Sequence, residues 1–200
     1  MRVSDSTVRQ ATIAGAASPN ISIPDGGVFP LKGVHNKLVK AQRVKVRMSE
    51  LGFGITASVG GAADAAGQKL FTLPKGKAIL FASVHDFTVT TPAGLSVASA
   101  VFSLGTAVAT DANAALTSTE ADVCASQTLG DGTLAAGATE TENTTVLGTG
   151  TAVGFVGTQD AETDVYFNIG GTFTHASITD QNVTIDGTVE LVLLDLGADA

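Results

Sequence analysis

The stretch Arg-Val-Lys-Val-Arg-Met at residues 43–48 decides the fold class of this 200-residue chain. Its three apolar side chains alternate with three cations, and a period of two is typical of a β-strand that buries one face. The cations Arg43, Lys45 and Arg47 then share the opposite face. The pattern predicts a strand whose outward face carries a row of positive charge.

Two interpretations of this row are open, because it is either a strand face in water or a set of cations aligned on an acidic partner. Residues 1–77 contain all 11 Lys and Arg residues and four acidic residues, which gives a net charge of +7, and residues 78–200 carry 15 acidic residues and no Lys or Arg. A basic segment suited to an acidic surface and an acidic body suited to water favour the second interpretation. We predict that the partner-binding cations are Lys37, Lys40, Arg43, Lys45 and Arg47.

Short strand patterns recur through the rest of the chain, separated by turns rich in Gly, Asp and Thr. The apolar residues are mainly Ala, Val and Leu, and the chain has no Trp and one Tyr. Such a composition favours sheets, and the spacing predicts a mainly β chain folded as an antiparallel β-sandwich or barrel. Strands are predicted at residues 78–90, 96–106, 150–156, 164–169, 172–178 and 187–196.

Three local predictions add to this outline. Alternation within residues 78–90 places Phe87 on the face of His85 and opposite Val84. The small residues at 60–67 predict a turn or loop. Thr117 followed three residues later by Glu120 forms a capping box, which predicts one short helix over residues 117–127.

The N-terminal 36 residues have no regular apolar period. Pro19, Pro24 and Pro30 interrupt them, and Asp-Gly-Gly at residues 25–27 marks a turn. They predict an extended N-terminal arm without a core of its own, ordered by contact with another surface. Residues 37–200 are predicted to form a β-rich body. The composition near residues 110–150 would allow a division of this body into two parts there.

The residues that could carry chemistry are few. His35, His85 and His175 are the three imidazoles, and the last two fall in predicted strands, where a structural role is expected. The sequence has no Gly-x-Ser-x-Gly motif, no phosphate-binding loop and no paired Cys or His, so we predict no catalytic, cofactor or zinc site. Cys124 stands alone, cannot form an intrachain disulfide, and is predicted to be a buried, inert thiol.

Asp160, Glu162 and Asp164 form the one acidic cluster with a regular spacing. A solvated acidic edge is the expected role. A calcium site or the paired carboxylates of a glycan hydrolase are the alternatives.

Binding to membranes and to nucleic acids is not expected. No stretch has the length of a signal peptide or of a membrane span, so we expect a soluble chain made in the cytoplasm. The overall charge is −8, and the basic segment carries few aromatic residues, which argues against a nucleic-acid interface.

The second half of the chain carries a resemblance in style. Residues 128–140 read TLGDGTLAAGATE, residues 164–169 read DVYFNI, and residues 186–197 read DGTVELVLLDLG. The sequence pattern of residues 117–197 resembles that of virion structural proteins of tailed bacteriophages, in particular capsid decoration or cement proteins.

The resemblance implies a non-enzymatic protein on the capsid surface of the virion. Such a protein binds the major capsid protein from outside, often as a trimer or another small homo-oligomer, and stabilises the shell. The alternative is a phage tail or fibre component, or a host-binding β-rich adhesin. No single residue role is carried over from the family.

Overall fold

The computed structural model describes residues 8–11, 21–32, 38–110, 114–142, 146–148, 157, 160–177 and 179–195. Side chains are described within those ranges from residue 41 onward, except at 142 and 146–148. These residues form twelve strands and a single 3-10 turn at Ser118–Glu120. The strands are β1 (Val8–Ala11), β2 (Ile21–Lys32), β3 (Leu38–Ala57), β4 (Ala62–Leu73), β5 (Lys77–Thr90), β6 (Ser96–Gly105), β7 (Cys124–Thr128), β8 (Thr133–Leu134), β9 (Thr139–Glu142), β10 (Val146–Gly148), β11 (Thr163–Thr174) and β12 (Thr179–Asp195).

The strands form two antiparallel sheets that pack face to face. The larger sheet has the order β1-β2-β3-β12-β5-β10, and β9 also pairs with β5. The smaller sheet has the order β4-β11-β6-β7, and β8 also pairs with β6. Neither order closes on itself within the described residues. The predicted mainly β class is therefore confirmed, and the arrangement is sandwich-like rather than a barrel.

The alternating stretch of residues 43–48 lies in β3, near the middle of the larger sheet. Val44, Val46 and Met48 are buried in the core between the sheets, and the three cations are exposed on the other face. The buried and exposed faces predicted from the period of two are therefore confirmed. On one side β3 pairs along most of its length with β12, from Ala41 opposite Leu194 to Ala57 opposite Thr179.

Two bulges interrupt the larger sheet on either side of Gly187. Glu50 of β3 and Asp86 of β5 have positive φ angles of 50° and 43°, and each strand carries one extra residue there relative to β12. An extra residue moves all later side chains to the opposite face. Leu51 and Phe53 therefore point into the core, although they lie at odd numbers after Met48.

The bulge at Asp86 corrects the predicted faces of residues 78–90. Ala82 and Val84 are buried in the core, and after the bulge Phe87 joins their face instead of the face of His85. The prediction was wrong because strict alternation was assumed through a residue that the sheet leaves unpaired.

Four phenylalanines hold the two sheets together. Phe53 and Phe87 come from the larger sheet, and Phe102 and Phe167 come from the smaller one. Phe87 meets Phe102 edge-on with ring centroids 4.6 Å apart, and Phe167 lies 5.8 Å from Phe102 and 6.0 Å from Phe53. The rings of Phe102 and Phe167 are stacked, and the other two contacts are tilted or edge-on; such aromatic contacts add to the energy of burial. This cluster fixes the larger sheet as a rigid support.

The helix predicted over residues 117–127 does not form. The chain makes the short 3-10 turn, the Thr117 side chain caps nothing, and β7 begins at Cys124. The carbonyl of Glu120 instead accepts bonds from the Ser103 hydroxyl at 2.6 Å and the Asn168 side-chain amide at 2.8 Å. Tertiary contacts thus override the local capping signal. No helix among the described residues is long and apolar enough to cross a membrane.

A loop between β6 and β7 covers the outer face of the smaller sheet around Asn168. This fully buried side chain accepts a bond from the amide of Ala109 at 2.9 Å and donates to the carbonyl of Ala107 at 3.1 Å, besides its bond to Glu120. Thr106 binds both carboxylate oxygens of Asp122, through its amide and its hydroxyl. No local sequence pattern predicts this anchor.

The N-terminal region contributes two strands in its described part. β2 pairs antiparallel with β3 from Asp25 to Lys32, and β1 pairs with β2. Residues 1–7, 12–20 and 33–37 lie outside the described residues, so the division into an arm and a body stays a prediction. The predicted loop at 60–67 was wrong, because β4 already begins at Ala62. The predicted strand at 150–156 also lies outside the described residues.

Candidate partner-binding face

The candidate site is the outward face of the larger sheet, where β3, β12 and β5 lie side by side. We call Arg43, Lys45 and Arg47 the cationic row. All three are exposed, and the side chains of Arg43 and Lys45 are 56% and 51% accessible. Lys37 lies outside the described residues, and the side chain of Lys40 is not described. The structure therefore brings together three of the five predicted cations.

Glu190 of β12 lies next to the cationic row, directly opposite Lys45. It is only 7% exposed, and its carboxylate forms an ion pair with the Arg43 guanidinium. Its Oε2 lies 3.7 Å from the Lys45 Nζ and 3.7 Å from the His85 Nε2. Arg47 forms no ion pair within the described part of the chain. Glu190 thus neutralises part of the row and leaves Arg47 as its free cation.

Two further ion pairs are found among the described residues. Lys69 Nζ lies 2.6 Å from Asp164 Oδ1, and Lys77 Nζ lies 2.7 Å from Asp195 Oδ2. In each pair a residue of the basic part of the chain meets a carboxylate of the last 40 residues. The polarised sequence thus also serves pairing within each sheet, because β3, β4 and β5 are neighbours of β11 and β12. Only the strand order could have shown this.

Ser83, His85 and Glu190 meet on the same face, but they do not form a hydrolytic triad. The Ser83 hydroxyl lies 2.7 Å from His85 Nε2, and the nearby Glu190 oxygen approaches that same nitrogen. In a triad the hydroxyl and the carboxylate contact opposite ring nitrogens, so that the acid orients the base. Ser83 is also buried, with 3% of its surface exposed. The arrangement is a polar support for Glu190.

His175 and Cys124 also have local structural roles. His175 follows β11, and its Nδ1 lies 3.2 Å from the amide of Ser177. Burial raises the pKa of the Cys124 thiol to about 11. Cys124 is fully buried in the core, which confirms the predicted buried thiol. His35 lies outside the described residues.

The three carboxylates of the acidic cluster at residues 160–164 differ in their contacts. Asp164 binds Lys69 and accepts a hydrogen bond of 2.8 Å from the Thr72 hydroxyl, whereas Asp160 and Glu162 are exposed. The hydrogen bond from Lys69 is the main reason that the pKa of Asp164 is lowered. No group of three metal-binding side chains occurs among the described residues. The arrangement fits the expected solvated edge.

Carboxylates collect on the other part of the outward face, at and beyond the bulges. We call the exposed residues Glu50, Asp86, Asp180 and Asp186 the acidic end. Asp186 Oδ1 accepts a bond of 2.9 Å from the Glu50 amide, which ties the two strands together at the bulge. One face of one sheet thus carries positive charge at one end and negative charge at the other.

Comparisons with known proteins return a few distant structures. No protein-family model and no curated protein matches the chain. A solved structure described as infectious bursal disease virus Gx strain matches with 13% identity and a TM-score of 0.39, covering 97% of this chain and 46% of that chain. The infectious bursal disease virus VP2 subviral particle matches with 10% identity and a TM-score of 0.39, covering 90% and 40%. This chain spans less than half the length of either.

Proposed function

We propose that this protein is a non-enzymatic structural component of a bacteriophage virion that binds the outer surface of the capsid and stabilises the shell. Its partner is the major capsid protein, and a small homo-oligomer on the capsid surface is the assembled form. The exposed cationic row, and Arg47 in particular, meets carboxylates of the partner. The observation that carries the proposal is this row of cations on the outward face of a rigid sheet.

The geometry supports recognition of an acidic surface in two ways. Alternate residues of a strand lie roughly 7 Å apart on one face, so Arg43, Lys45 and Arg47 present charge at a regular spacing along β3. The ion pairs with Glu190 hold two of these side chains against the sheet. Side chains that are already ordered lose less entropy when a partner binds.

Many copies on one particle would make such a contact effective. A single exposed ion pair contributes at most about 1 kcal/mol, which is too little for stable attachment. A shell offers many equivalent sites, and oligomers that engage several at once gain avidity without new contacts. A capsid-stabilising role therefore suits this chain better than a role that needs one tight site.

The experiment is a binding series on capsids assembled without this protein. Arg47→Gln removes the free cation and should weaken binding about threefold to tenfold, and the salt dependence of binding should become shallower. Lys75→Gln removes another exposed cation, in the turn between β4 and β5, and serves as the matched control. Equal binding of wild type and Arg47→Gln at every salt concentration would refute the cationic row as the contact.

Removal of residues 1–36 tests the predicted arm separately. The truncated chain should fold, because β3 keeps its long pairing with β12, but it should fail to enter particles. Normal incorporation of the truncated chain would show that the arm has no role in attachment.

Copy number separates this proposal from the alternative of a tail, fibre or adhesin role. Labelled protein should be found in many copies over the head. A few copies on the tail or at one vertex would favour the alternative.

A further inference from the structure

We propose that, in the chain free of the capsid, the outward face of the larger sheet pairs with the same face of a second copy. Pairing and the proposed capsid contact use the same cation, Arg47, so they exclude each other on any one copy. The face has two ends of opposite charge, with the cationic row before the bulges and the acidic end at and after them. Along β3 such a surface is complementary to itself when one copy is turned end over end. Charge complementarity therefore identifies the second copy as the occupant of this face.

The symmetry of the pairing follows from the strand geometry. The two-fold axis lies between the two faces, perpendicular to the strands, level with Met48 and Gly187. Rotation about this axis places β3 over β3 of the second copy in the opposite direction. Arg47 then lies over Glu50 of the second copy, and the reverse contact forms at the same time, because such an interface is isologous.

The two residues of this contact are available for it. Both are exposed, and Arg47 makes no ion pair among the described residues. The hydrogen bond of Glu50 to Asp186 uses its backbone amide rather than its carboxylate. Glycines at positions 52 and 54 leave open space above β3 next to the acidic end. A partner can therefore approach this part of the face closely.

The size of the face is adequate for a weak dimer. Residues 43–56 of β3 span about 45 Å, and three neighbouring strands span about 15 Å, which approaches the area that a standard interface buries on each partner. The contacts are charged and partly exposed, so we expect an association that salt weakens. A face that pairs with itself gives a dimer, not the trimer that the resemblance implies.

The test is sedimentation equilibrium of the full chain alone, in low and in high salt. The wild type should form a species of twice 20.0 kDa at low salt and dissociate at high salt. Arg47→Glu and Glu50→Lys should each weaken the dimer roughly tenfold or more, because each change places like charges together at two symmetric positions. Lys75→Glu has the same change in charge away from the face and should leave the dimer intact.

The double variant Arg47→Glu, Glu50→Lys makes the test specific. The two charges exchange places and the net charge is unchanged. The double variant should therefore pair with itself but not with the wild type. A monomeric wild type at every concentration, or a dimer that is indifferent to these changes, overturns the inference. The use of the purified chain separates this inference from the proposed function, since a monomer that still binds capsids refutes the inference alone.

Discussion

Glu190 of β12 and Arg43 of β3 form an ion pair across neighbouring strands, with the carboxylate buried and the guanidinium largely exposed. The two partners therefore differ in what they lose when the pair is broken. Glu190 would remain a poorly solvated charge without its closest cation. Arg43 would regain water.

The first prediction is that Arg43→Gln destabilises the protein more than Arg47→Gln does. Arg43→Gln leaves the Glu190 carboxylate with the more distant Lys45 and His85, and we expect a loss of about 1–2 kcal/mol, discounted for the exposure of Arg43. Arg47→Gln removes a cation without an ion pair and should change stability by less than about 0.5 kcal/mol. Urea unfolding of both variants measures the difference, and equal losses would show that the pair contributes nothing.

The second prediction concerns Asn168, the anchor of the loop between β6 and β7. Asn168→Ala removes three hydrogen bonds from a fully buried position and leaves the Ala107 carbonyl and the Ala109 amide without this partner, so we expect a loss of roughly 2–4 kcal/mol. Asn182→Ala, at an exposed position of β12, is the control and should have little effect. Hydrogen exchange should rise at the Ala109 amide, which donates to Asn168, and unchanged exchange there would contradict the anchoring role.

The sequence predicted those features that depend on one strand alone. The alternation at residues 43–48 identified both the buried face of β3 and its exposed cations, because side-chain direction in a strand repeats every two residues. The mainly β class followed from the recurrence of such short patterns. These signals are local, so a single chain segment carries them in full.

The features that the sequence could not predict depend on strand pairing. The bulge at Asp86 turns Phe87 into the core, but its cause is the register against β12, which lies a hundred residues away. The capping box at Thr117 was a genuine local signal that contacts with Ser103 and Asn168 override. The pairing of Glu190 with Arg43 likewise requires the strand order. Non-local contacts of this kind decide faces and boundaries but leave no pattern in the nearby sequence.

The third prediction is that the Cys124 thiol is inert in the folded protein. Burial raises its pKa from 9.0 to about 11, so at pH 8 the folded protein carries almost no thiolate there. A thiol reagent at pH 8 should modify the native chain far more slowly than the chain in concentrated guanidinium chloride. Rapid modification without denaturant would show that the thiol is accessible.

The same shift predicts how stability depends on pH. Between pH 9 and pH 11 the unfolded chain loses this proton and the folded chain keeps it, so the free energy of unfolding should fall as the pH rises through this window. Cys124→Ala removes the titrating group and should reduce that fall relative to the wild type. Parallel pH profiles for the two proteins would contradict the assigned shift.

The fourth prediction uses two glycines of the larger sheet that differ in their surroundings. Gly187 lies between the two bulges, and a β-carbon added there would collide with the Phe87 backbone, with Cα at 2.8 Å, and approach Met48 Cε at 3.3 Å. Gly187→Ala should therefore push Phe87 away from Phe102 and Phe167 and cost about 3 kcal/mol or more, as overpacking does when backbone must move. Gly54 has nothing within 4 Å of its added β-carbon, and its φ is not in the left-handed region, so Gly54→Ala should be neutral or stabilising by up to about 1 kcal/mol. Thermal and urea unfolding of the two variants provide the comparison. A mild Gly187→Ala variant would mean that the sheet can shift at the bulges, and the rigid support assigned to the cationic row would then have to be abandoned.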